Sequence, residues 1–232
     1  MRDASEGFDR STPDMPEPVQ DFVDLSGENE DPRVVGARRQ ETAGHVQQAV
    51  DLYRQVLLDR PRDAAVRMAL GRLYDGRGEP QLALEQFEAA RDAAPDSVEV
   101  LVQHANALAG VGRFDAAERE LRRALKMEPT RPEVHGSLGI INFRRGKYNQ
   151  AEQELKRAIE LDPESPAAFH YRGESLNQLG RVDEALSMLE RAAQLAPAHA
   201  RTFYVMGIVF DKKGRPQEAA AMYRKAREIA AA

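Results

Sequence analysis

Three histidines, His104, His135 and His170, recur at similar intervals and are the first candidates for chemistry, since imidazole can bind Zn²⁺ or transfer protons. A zinc site needs ligands that converge on one point. In the 34-residue frame described below, these histidines occupy positions 7, 4 and 5, so their side chains point in different directions. We therefore predict that the chain has no metal site.

The sequence also lacks the short patterns that mark common catalytic sites. It has no cysteine, and it contains no phosphate-binding glycine loop, HExxH, GxSxG or calcium-loop motif. No set of residues is left that could act as a nucleophile with its base or hold a cofactor. We predict a protein that is not an enzyme and that uses no cofactor.

Clustered basic side chains are the next candidates, because they could bind nucleic acid. Arg122, Arg123 and Lys126 form such a cluster, but they alternate with Glu118 and Glu120 at helical spacing, which is typical of a solvated helix face. The chain as a whole has 38 acidic and 33 basic side chains, a net charge of −5. Nucleic acid is therefore not the expected partner, although RNA binding remains an alternative.

The acidic excess is concentrated at the N terminus. Residues 1–32 carry ten acidic side chains against Arg2 and Arg10, so this segment holds −8 and the remaining 200 residues hold +3. High net charge, low hydrophobicity and three prolines predict a disordered tail over residues 1–29. No apolar run approaches the length of a membrane span and no signal sequence is evident, so we expect a cytoplasmic protein without membrane insertion.

Beyond the tail, one glycine recurs every 34 residues, an alanine follows it five residues later, and a proline recurs in the same register. The glycines are Gly44, Gly78, Gly112, Gly146, Gly180 and Gly214. Apolar residues recur at i, i+3, i+4 and i+7 on both sides of each glycine, which predicts two helices per unit. We expect the glycine to cap the first helix in the left-handed conformation and the proline to end the second.

This pattern resembles the tetratricopeptide repeat, most closely in residues 64–97, where Leu70-Gly71, Tyr74, Ala83 and Phe87 occupy signature positions. The resemblance implies an all-α fold, a right-handed α-solenoid of antiparallel helix pairs. The first of the six repeats is degenerate in its leading helix. The predicted repeats are 30–63, 64–97, 98–131, 132–165, 166–199 and 200–232.

In this family the first helices line a concave groove, so the resemblance also implies a binding surface. The N-terminal half of the predicted groove is polar and basic, and the C-terminal half is aromatic. Its residues are Arg38, Arg72, Gln103, Asn106, Ile140, Phe143, Arg144, His170, Tyr171, Glu174, Asn177 and Tyr204. Because tyrosine and arginine are enriched in binding hot spots, we predict a scaffold that holds a peptide or helix of another protein. An RNA-binding repeat and an accessory subunit of an enzyme complex are the alternatives.

Two further surfaces could take part in association. The sixth repeat has no successor, so we expect an apolar face at its open side, which self-association could cover. The residues expected there are Ala219, Met222, Tyr223, Ala226 and Ile229. In the tail, Val19, Phe22 and Val23 share one helical face and could dock in the protein's own groove or recruit another protein.

Overall fold

The computed structural model describes residues 30–231, which form twelve α-helices and no strand. The predicted disordered tail, residues 1–29, lies outside the described residues. The helices are α1 (Pro32–Thr42), α2 (Val46–Asp59), α3 (Ala64–Gly76), α4 (Pro80–Ala93), α5 (Val98–Gly110), α6 (Phe114–Met127), α7 (Pro132–Arg144), α8 (Tyr148–Leu161), α9 (Pro166–Gln178), α10 (Val182–Leu195), α11 (Ala200–Lys212) and α12 (Pro216–Ala231).

The helices pack as six consecutive pairs, each against the next along the chain. Within each pair the two helices make their most extensive contact, and the second helix of a pair then packs on the first helix of the following pair. From α3 to α11, each first helix also contacts the first helix of the next pair. The described second helices do not contact one another to a comparable degree. The first helices therefore line the concave side, and the predicted α-solenoid is confirmed.

Prolines begin five of the helices, as expected for a residue that needs no donor in the first turn. They are Pro32, Pro80, Pro132, Pro166 and Pro216. The other recurring prolines follow the second helices, each of which ends two residues before its proline, as α8 does at Leu161 before Pro163. The predicted helix ends are thus confirmed.

Each first helix ends two residues before its recurring glycine, whose φ lies between +67° and +80° in all six units. At the end of α7, the Gly146 N–H donates to the Phe143 carbonyl at 2.9 Å and the Lys147 N–H donates to the Asn142 carbonyl at 2.8 Å. This pair of bonds is the Schellman motif, which satisfies the last carbonyls of the helix. The turn reverses the chain so that the second helix packs back on the first.

Small residues let the two helices of a pair approach closely. The recurring alanines of the second helices are at most 1% exposed. On the facing first helices, a Cβ built on Gly139 would lie 2.4 Å from Leu155 Cγ, and one on Gly207 would lie 2.4 Å from Tyr223 Cε1. These positions therefore admit no side chain without movement of a neighbour.

Among residues 30–231, no helix combines the length and the apolar character that crossing a membrane would require.

Candidate binding groove

The structure divides the twelve predicted groove residues by accessibility. Five are exposed: Arg38, Arg72, Asn106, Arg144 and Tyr204. Four are half-buried: Gln103, Ile140, Phe143 and Tyr171. Three are buried: His170, Glu174 and Asn177. All twelve lie on first helices, as the repeat frame requires.

A central cavity of about 260 Å³ brings five of these residues together from three helices. Its lining includes Gln103 and Asn106 of α5, Ile140 and Arg144 of α7, and Tyr171 of α9. The cavity thus combines two carboxamides, a guanidinium and apolar surface in one place.

An aromatic pair stands beside this cavity. The rings of Phe143 and Tyr171 meet edge to face with centroids 5.5 Å apart, and Tyr148 packs on the other side of Phe143 at 5.7 Å. Edge-to-face contacts stabilise such pairs beyond the area they bury. Because both rings are half-buried, they offer a fixed apolar surface to a ligand.

The arginines of the groove differ in what they contact. Arg38 pairs with Glu30 at 2.8 Å, so its charge is already partly neutralised. Arg72 and Arg144 are exposed and form no ion pair with any residue of 30–231. These two guanidiniums are therefore available to a carboxylate or another acceptor.

The three buried groove residues are engaged by the neighbouring unit. Glu174 Oε1 accepts from Arg201 Nε at 2.9 Å and lies 3.1 Å from His170 Nε2. His170 Nδ1 lies 3.0 Å from Thr202 Oγ1. Burial by itself raises the pKa of Glu174, but the adjacent His170 imidazole and the hydrogen bonds from Arg201 outweigh it, so this pKa is lowered. The carboxylate is therefore charged at neutral pH and links α9 to α11.

Asn177 is held in the same way. Lys212 Nζ donates to its Oδ1 at 2.7 Å and to its backbone carbonyl at 3.3 Å. Asn177 and Glu174 still line a second cavity of about 410 Å³ with Tyr204 and Ile208. The polar atoms of these buried residues are thus mostly satisfied within the protein, which leaves less of them for a ligand than the repeat frame suggests.

Tyr204 stands where the groove meets the open side of the last pair. Its side chain is 54% exposed, and its ring packs on Tyr223 with centroids 5.5 Å apart. The prediction that Ala219 lies on the open side is wrong, since Ala219 is 1% exposed and packs in the apolar cluster of α9 to α12. Helical spacing predicts that a residue lies on the apolar face of its helix, but it does not predict which neighbouring helix covers that residue.

The histidines do not converge in the structure. His104 lies 3.8 Å from Glu120, His135 lies 2.8 Å from Glu154, and His170 belongs to the cluster on α9. Within residues 30–231, no three His, Cys, Asp or Glu side chains are grouped so that they could hold a metal ion.

The sequence prediction omitted two residues that belong to the groove. Asp75 lines the central cavity, and Lys212 binds Asn177. Both lie on first helices, α3 and α11, which the resemblance already places along the groove, so a search of every first helix would have found them.

The sequence model of the family described as the cilia and flagella-associated protein 70 C-terminal domain matches residues 26–232. No curated protein matches the chain. Among solved structures, the APC/C hetero-tetramer Cut9–Hcn1 is similar with a TM-score of 0.78 and 15% identity, over 85% of this chain and 39% of that one. The chain thus spans well under half the length of that relative.

Two bacterial structures are similar over most of their own length. A tetratricopeptide repeat protein from Parabacteroides merdae has a TM-score of 0.73 and 18% identity, over 85% of this chain and 77% of that one. A thermophilic tetratricopeptide repeat protein from Thermus thermophilus has a TM-score of 0.65 and 24% identity, over 72% of this chain and 91% of that one. At these identities the similarity establishes the fold alone.

Proposed function

The chain belongs to the cilia and flagella-associated protein 70 C-terminal domain family of tetratricopeptide repeats, and from this premise we propose that it is a non-catalytic scaffold whose groove binds a peptide segment of another protein. Tetratricopeptide solenoids generally serve as protein-interaction scaffolds. The expected place of action is the cytoplasm, which fractionation of cells that express the tagged chain would test.

One observation carries the proposal: the central cavity joins the Phe143–Tyr171 aromatic surface to the guanidinium of Arg144. A surface with no ligand would have little reason to hold aromatic rings beside an arginine that forms no ion pair within residues 30–231. The carboxamides of Gln103 and Asn106 line the same cavity and can each donate to and accept from a peptide backbone.

The same residues indicate what kind of segment would fit. An aromatic or aliphatic side chain of the peptide would pack on Tyr171, while an acidic side chain would reach Arg144. Arg72, on α3, would attract a second acidic residue at the N-terminal end of the groove. We therefore expect an extended segment with an apolar residue flanked by acidic ones.

Selection from a random peptide library displayed on phage tests the proposal with the full chain as bait. Selected peptides should be enriched in acidic and apolar residues, and the double variant Arg144→Ala and Tyr171→Ala should weaken their binding at least tenfold. Arg119→Ala is the matched control, since Arg119 is exposed on α6 and forms no ion pair within residues 30–231. Peptides bound equally by the wild type and the double variant would contradict the groove assignment.

A fluorescence titration with single-stranded RNA distinguishes a peptide-binding scaffold from the alternative, an RNA-binding repeat. Phosphate binding by arginines falls steeply as salt rises. We expect no binding at physiological ionic strength; tight, salt-sensitive binding that Arg72→Ala and Arg144→Ala abolish would favour an RNA-binding repeat instead.

A further inference from the structure

The open side of the last helix pair carries a groove of about 780 Å³. We call this surface the end face. Most of its lining is alanine and tyrosine, and the remainder is arginine. The lining residues are Ala200, Arg201, Tyr204, Ala220, Tyr223, Arg224, Ala226, Arg227 and Ala230.

In the preceding unit, the residues corresponding to Tyr204 and Ala220 are buried. Tyr204 is 54% exposed, whereas His170, 34 residues earlier, is 2% exposed. Leu186 is 8% exposed beneath the last pair, whereas Ala220, 34 residues later, is exposed. The end face is thus a helix-packing surface of the repeat that no described helix covers.

The aromatic part of the end face is held in place before any partner arrives. Tyr223 donates from its hydroxyl to Asp211 Oδ2 at 2.7 Å, and its ring supports Tyr204 at 5.5 Å between centroids. A rigid aromatic surface loses little conformational entropy when a ligand packs on it.

The charge of the end face restricts what can cover it. Arg224 and Arg227 are exposed and form no ion pair within the described range. A second copy packed through the same surface would bring these arginines close to their own counterparts, and like charges at an interface oppose association. An acidic segment with apolar side chains fits better.

The chain itself contains such a segment. Residues 14–28 hold five acidic side chains and no basic one, and Val19, Phe22 and Val23 are spaced to share one helical face. We propose that this acidic segment docks on the end face of a second copy of the chain.

The geometry of the array requires a second copy. The segment joins the array at Glu30, before α1, while the end face is formed by α11 and α12 at the other end. Seven residues separate Val23, the nearest of the three apolar residues, from Glu30 and span at most about 25 Å, whereas five steps between helix pairs at about 8–10 Å each amount to roughly 40–50 Å. The contact is therefore head to tail, and repetition produces open chains of molecules or closed rings.

Two full-length variants test the proposal. Phe22→Asp alters the segment and leaves the end face intact; the double change Arg224→Glu and Arg227→Glu alters the end face and leaves the segment intact. Analytical ultracentrifugation from micromolar to millimolar concentration should show assembly of the wild type. Each variant alone should assemble at least tenfold more weakly, and an equimolar mixture of the two should form a complex of two chains that grows no further.

Arg119→Glu with Lys126→Glu on α6 is the matched control for the charge change, and it should assemble as the wild type does. A synthetic peptide of residues 13–29, titrated into the Phe22→Asp protein, should shift NMR signals of Tyr204 and Ala220 and leave those of Tyr171 unchanged. A wild type that stays monomeric throughout, assembly that both variants retain, a mixture that does not associate, or a peptide that shifts Tyr171 alone would each overturn the proposal.

Discussion

At the scale of single residues, Glu174 lies at a predicted groove position but stabilises the fold instead of facing a ligand. Its side chain is 8% exposed and binds Arg201 and His170. Because its pKa is lowered in the folded protein, folding favours the charged form. The resulting stability is present above the pKa of the unfolded chain and is lost as the pH falls through the lower, folded value.

Glu174→Gln should therefore lower the free energy of unfolding by about 1–2 kcal/mol at neutral pH, since it replaces a charged acceptor with a neutral one. The difference between wild type and variant in the free energy of unfolding should close as the pH falls through the lowered pKa of Glu174, where the wild-type carboxylate becomes protonated. Urea denaturation over a pH series measures both effects. Glu190→Gln, at an exposed position of α10, should show neither; a gap independent of pH would contradict the assignment.

A second residue-scale prediction concerns two glycines of α7. A Cβ on Gly139 would lie 2.4 Å from Leu155 Cγ, whereas a Cβ on Gly136 would meet nothing within 4 Å. Gly136→Ala should stabilise the protein by about 0.5–1 kcal/mol through helix propensity, while Gly139→Ala should destabilise it by about 1–3 kcal/mol through overpacking. Chemical denaturation of the two variants compares them directly; equal effects would contradict the close approach of α7 and α8.

At the scale of elements, α1 is the first helix of the array, and its apolar residues are the least clearly gathered on one face. Its stability therefore depends on the contacts at its N terminus. Asp31 caps it by accepting from the Arg33 N–H at 2.9 Å. The other carboxylate oxygen of Asp31 binds the Arg33 guanidinium at 2.8 Å and that of Arg60, directly after α2, at 3.0 Å. The hydrogen bonds from Arg33 lower the pKa of Asp31 to about 2. One carboxylate thus joins α1 to the end of α2.

Asp31→Asn should loosen this helix without unfolding the array. We expect faster amide hydrogen exchange over residues 33–42 at neutral pH and unchanged exchange in α7 and α8. Because the pKa of the Asp31 carboxyl is lowered on folding, the wild type should approach the behaviour of the variant only as the pH falls toward 2. Asp51→Asn, on the exposed side of α2, is the control. Altered exchange throughout the array would show that α1 is not an independent end.

At the scale of the whole molecule, buried side chains form four apolar clusters spread along the array, and each cluster joins neighbouring pairs. Stability in such an array depends on contacts between adjacent units. The same change should therefore have different consequences at the centre and at an end.

Gly146→Val and Gly44→Val test this dependence. Both glycines have positive φ, +73° and +75°, and neither has a neighbour that would contact a Cβ. Each change forces a β-branched residue into the left-handed region, a local penalty of about 1–2 kcal/mol. Thermal melts should show a lower main transition for Gly146→Val, whereas Gly44→Val should loosen mainly α1 and α2. Equal losses at the two sites would contradict a nearest-neighbour array.

Much of the fold followed from the sequence alone, because its determinants are local. A glycine that must adopt positive φ, a proline that cannot continue a helix and an apolar period of 3.6 residues act within a few positions of the chain. Their recurrence every 34 residues therefore specified the helix pairs and their order, while the resemblance to the tetratricopeptide repeat implied which side faces inward.

The tertiary structure decided which groove residues keep a free polar group. Glu174 and Asn177 are bound by Arg201 and Lys212, which lie 27 and 35 residues further along the chain, whereas Arg144 has no such partner among the described residues. The repeat frame assigns all of these positions to the groove and cannot separate them, because the pairing depends on which side chain the next unit happens to present at each position. The end face was likewise decided by packing, since spacing alone placed Ala219 there, while the fold buries it and exposes Ala220 and Tyr204.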